Sequence, residues 1–83
     1  MPDFHKQIKA NGLVYAFSFH PVVSPLNNKY FVQGEATGAA PVAFEIIKAR
    51  SGTWHIIPPV PLWVFAIEEQ LIAVILEHRG KKA

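Results

Sequence analysis

The chain has no cysteine. That excludes disulfides, thiolate zinc sites, iron–sulfur clusters and a cysteine nucleophile. Charge is also scarce, with 17% Asp, Glu, Lys and Arg and a net charge of +2. The glycines at 12, 34, 38, 52 and 80 are dispersed and form neither a P-loop nor GxGxxG. Ser18, Ser24 and Ser51 lie in no GxSxG elbow. The histidines at 5, 20, 55 and 78 show no HxH or HxxxH ligand spacing. The longest uncharged apolar run, 56–67, falls short of the ~20 residues of a spanning helix. Residues 1–12 lack the apolar run of about 7–15 residues that a secretory signal carries. These absences lead us to expect a soluble, cytoplasmic protein without cofactor or metal.

What is present is a rich apolar supply: 51% of residues are hydrophobic and 12% aromatic. Eighty-three residues make a single small domain, 1–83, in which 1–11 and 80–83 read as frayed ends. A chain of this size buries only about 60–65% of its unfolded surface, so oligomerisation is one route to stability. Basic residues are scattered except for Arg79-Gly80-Lys81-Lys82. A basic face interleaved with stacking aromatics is absent, so nucleic acid is not an expected partner.

Four strands are expected, at 13–20, 29–36, 42–50 and 53–57, each rich in β-branched or aromatic residues and bounded by Asn, Gly or Pro. The last hairpin fixes its own register. A three-residue loop, Arg50-Ser51-Gly52, puts Lys48 opposite Trp54 and Ile46 opposite Ile56, gathering Phe44, Ile46, Trp54 and Ile56 on one face. Carried through the strands, the alternation gives a core face of Leu13, Tyr15, Phe17, Phe19, Tyr30, Val32, Val42, Phe44, Ile46, Trp54 and Ile56. The other face holds Ser18, His20, Gln33, Glu35, Glu45 and His55, mixed with Val14, Phe31, Ile47 and Ile57.

Pro58-Pro59-Val60-Pro61 then breaks the chain, and 61–79 reads as one helix. Its apolar residues cover about 200° of the circumference, whereas a helix lying on one sheet needs only about 100°. The expected fold is therefore α+β: a four-stranded antiparallel meander with a C-terminal helix packed across the sheet, and helix surface to spare. A membrane-surface role is disfavoured, because the polar strip carries Glu69 and Glu77 rather than lysines. Glu68 and Arg79 lie near one helical azimuth and could pair across a two-fold axis.

The surplus points to a non-enzymatic interaction module, a homodimer or a binder of another protein, anchored by Trp63, Ile67, Leu71, Val74 and Phe31. A second reading is a binder of a small apolar ligand between sheet and helix. A third is a metal-assisted enzyme using His20, Glu35, Glu45 and His55, were those four to meet on the polar face.

Overall fold

The computed structural model describes residues 3–23, 25–26 and 28–80. It is α+β, with an antiparallel sheet and a C-terminal helical segment, but the sheet has five strands and curls into a half-barrel. The strands are β1 (Phe4–Ala10), β2 (Leu13–Pro21), β3 (Lys29–Glu35), β4 (Val42–Lys48) and β5 (Trp54–Ile56). They lie side by side in chain order. Residues 1–11, expected to fray, contribute the fifth strand over 4–10. The turn responsible is Asn11-Gly12, with φ of 52° and 75°. Both central residues being left-handed marks the two-residue turn whose twist matches that of paired strands. It sets Ala10 opposite Leu13 and Ile8 opposite Tyr15.

The register of the last hairpin is the one read from the sequence. Lys48 faces Trp54 and Ile46 faces Ile56. Gly52 takes φ of 94° and its amide donates to the Ala49 carbonyl at 2.9 Å.

The 61–79 helix is in fact two pieces, α1 (Leu62–Ala66) and α2 (Glu68–Gly80). The Ile67 amide turns back to the Val64 carbonyl at 3.1 Å, with Ile67 at φ −109° and ψ 15°. The bend starts a fresh helix whose first turn carries Glu68 and Glu69 and whose last carries His78 and Arg79, each sign facing the dipole end that favours it.

The core forms where the concave face meets the helices. Tyr15, Phe17, Phe19, Tyr30, Val32, Phe44, Ile46, Trp54 and Ile56 from the sheet are buried with Ile8 and Ala10 from β1 and with Val64, Ile67, Leu71 and Ile75. Leu13 and Val42 pack against that cluster, partly buried. β1 therefore brings apolar wall as well as length. Phe4 stacks on His78 with centroids 3.8 Å apart, and Tyr15 meets Trp63 at 4.5 Å. The wide apolar arc of the helix is thus largely covered by the chain's own sheet. The solvent face of α2 reduces to Glu69, Gln70, Ala73, Glu77 and Gly80 with one large apolar residue, Leu76, while Leu62 and Phe65 of α1 stay exposed.

Gly34 sits in β3 on the core face, opposite Phe17 and Val42. A Cβ there would lie 2.5 Å from Cε1 of Phe17 and 3.0 Å from Cγ2 of Val42. The missing side chain lets the Phe17 ring lie across the strand. We expect Gly34→Ala to cost about 1–3 kcal/mol through overpacking, measured by urea denaturation. Wild-type stability in that variant would mean the ring has room to move aside.

Candidate functional site

The polar-face candidates do not converge. His20, Phe31 and Glu45 lie in one row across β2, β3 and β4, so His20 and Glu45 stand two strand spacings, about 10 Å, apart. Glu35 faces Ala16, and His55 faces Ile47 on the far strand. Metal ligands must meet within about 2 Å of one ion. Among the described residues no group of three or more His, Asp or Glu side chains could hold one.

His20, Glu45 and His55 have local partners instead. His20 Nδ1 is 2.7 Å from the Asp3 carboxylate and its Nε2 is 3.1 Å from Gln33 Oε1. His5 Nδ1 lies 3.1 Å from Ser18 Oγ. Glu45 takes Lys29 at 3.7 Å. His55 closes a chain of hydroxyls, with Ser51 Oγ to Thr53 Oγ1 and Thr53 Oγ1 to His55 Nε2 both 2.9 Å. Asp3 and His5 entered this network because β1 is a strand, which only the Asn11-Gly12 turn signals in the sequence.

The proposed anchors divide. Ile67 and Leu71 are buried in the chain's own core and have no surface to give a partner. Trp63 and Val74 are half-buried against that core. Phe31 is 36% exposed on the convex face, between His20 and Glu45 rather than among apolar neighbours. Glu68 and Arg79 are engaged within the chain: a Glu68 oxygen accepts from the Ile56 amide at 3.0 Å. The Arg79 guanidinium lies 5.3 Å from the centroid of the Trp54 ring and donates to Tyr30 Oη at 3.4 Å. The space beneath the helix holds the packed core. Among the described residues no buried side-chain nitrogen or oxygen lacks a partner.

What is open is the seam between β1 and α2. A groove of about 340 Å³ runs along Lys6, Gln7, Ile8 and Lys9 on one side and Gln70, Ala73, Val74 and Glu77 on the other. A second, of about 240 Å³, continues it past Phe4, His5 and His78 and shares Lys6, Val74 and Glu77. The small Ala73 side chain leaves this gap opposite the strand.

The two sheet edges differ. In a two-residue hairpin the residues flanking the turn exchange hydrogen bonds, so Phe4, Lys6, Ile8 and Ala10 spend their amides and carbonyls on β2. The bond from Val22 to Lys29 on the next ladder agrees with that parity. His5, Gln7 and Lys9 therefore aim their backbone groups outward, at the seam, and no described strand pairs with them. The β5 edge is only three residues long. Its Ile56 amide is taken by Glu68, and prolines follow at once.

No family model matches this chain, and no curated protein or solved structure is detectably similar to it.

Glu68 is a sharp test of edge closure. We expect Glu68→Ala to cost about 1.5–3 kcal/mol, the range for a hydrogen bond to a charged group. Glu69→Ala, in the same exposed turn, should stay within about 0.5 kcal/mol of wild type. Equal losses in thermal or urea unfolding would assign the effect to the helix dipole instead.

Proposed function

We propose that the protein is a non-enzymatic interaction module that engages another protein along the β1–α2 seam. One observation carries this reading: a seven-residue edge strand turns three residues' worth of backbone donors and acceptors toward an open groove. An extended segment laid there would gain main-chain hydrogen bonds, as in other cases of strand addition, while groove side chains select its sequence. Among the described residues, the convex face and the packed core supply no comparable combination of outward backbone groups and a groove.

Self-association is the second reading. It is favoured by the large apolar side chains of the helical segment that stay outside the core, Leu62 at 85% and Leu76 at 52% exposed, with Phe65 at 39%. Two measurements on the isolated chain separate the readings. Light scattering over a dilution series should return the 9.3 kDa monomer; twice that mass at all concentrations would favour the homodimer. Amide exchange should alternate along β1, fast at His5, Gln7 and Lys9 and slow at Lys6 and Ile8. Uniform protection would mean that the edge is already covered.

A further inference from the structure

We infer that the occupant of the seam is an extended, acidic segment of another protein, added beside β1 as a sixth strand. This deepens the interaction reading and rests on it. Three observations on the seam point the same way.

The first is charge. Lys6 and Lys9 flank the groove, and neither takes part in the ion pairs formed among the described residues, His20–Asp3 and Lys29–Glu45. Against them the groove offers one carboxylate, Glu77 on α2, with His5 and His78 at its far end. The seam is thus net positive, with two lysines against one carboxylate, while the exposed surface of α2 beyond it carries Glu69. Lys6 and Lys9 stand on opposite faces of the strand, since side chains alternate. An added strand therefore meets a cation on each of its own faces.

The second is the pairing that these lysines oppose. A copy of the chain placed two-fold about Gln7 would pair all three outward residues, setting His5 against Lys9 of the copy. It would also put the two Lys6 ammonium groups on diagonal positions of the same face, within reach of one another. Charged edge residues, above all lysines, are a common device against such self-pairing. The same charges that repel a second copy attract a carboxylate-bearing strand.

The third is fit. β1 from Phe4 to Lys9 matches the span of the two joined grooves, and six extended residues cover roughly 20 Å. Ile8, Ala73 and Val74 supply a short apolar strip between the charges, so the matching segment alternates acidic with small aliphatic residues.

The test titrates the full-length, isotopically labelled chain with a capped peptide as long as β1 that alternates glutamate and valine. A counterpart with lysine in place of glutamate serves as control. The acidic peptide should shift the amide resonances of His5, Gln7 and Lys9 and slow their exchange, leaving convex-face residues of β4 unmoved. Raising the salt should weaken it, since these charges are exposed. The exposed double change Lys6→Glu with Lys9→Glu should weaken the acidic peptide at least about tenfold and favour the lysine peptide. Gln7→Pro deletes the central outward donor and should abolish the response at the edge. Equal binding of both peptides, or preference for the lysine peptide, would overturn the acidic partner while leaving the seam as the binding surface. If neither peptide perturbs the edge amides, the seam reading falls as well.

Discussion

Phe4 stacked on His78 at 3.8 Å ties the first strand to the last turn of the last helix. At the opposite edge, the Arg79 guanidinium packs over Trp54 and Glu68 bonds the Ile56 amide. Together these contacts hold α2 in the trough of the curled sheet, touching both edges at once. A flat sheet would cover one stripe of the helix. The curl covers a stripe and both its flanks, which is why so apolar a helix finds most of its cover within one chain. The energetic logic is ordinary: burial contributes about 25 cal/mol per Å² of apolar surface, and a chain this short must find that area within itself or in a partner.

The two edges of the sheet are finished differently, and that asymmetry carries the functional reading. At β5 the backbone is stopped within three residues, bonded by a carboxylate and followed by prolines that cannot extend the ladder. At β1 the strand is more than twice as long and its outer groups face a groove rather than a cap. Lysines, not covalent closure, guard it. A guard made of charge is selective in a way that a proline is not, because it excludes like charge and admits the opposite.

Much of this was legible in the chain. The β4–β5 register followed from asking which loop keeps Ile46 and Ile56 on the face of Phe44, because a one-residue slip would reverse every side chain. The core face of β2 to β4 followed from the same alternation. β1 escaped because Lys6 interrupts its inward row and its polar composition resembles a tail. The Asn-Gly pair at 11–12 bounds the 13–20 strand in the sequence, but it is also a strong short-range hairpin signal, and in the fold it joins two strands. From that miss the others descend. Without β1 the helix arc had no second wall, so Ile67 and Leu71 looked like anchors for a partner when they are core. The polar residues of the convex face were correctly grouped by face, but face alone does not fix distance, and two strand spacings separate His20 from Glu45. The seam was invisible for the same reason as the curl: both depend on a strand pairing that lies outside the helix and sheet patterns taken separately.

The central claim is that β1, and not another molecule, completes the cover of the helix. Nuclear Overhauser contacts in a dilute solution of the full-length chain test it directly. Cross-peaks should connect the Phe4 ring with the His78 imidazole, and the Tyr15 ring with the Trp63 indole, unchanged in strength on further dilution. Absence of the Phe4–His78 contact in a sample whose β2–β5 ladder is intact would contradict the account. The helix would then have a flank that the chain itself leaves uncovered.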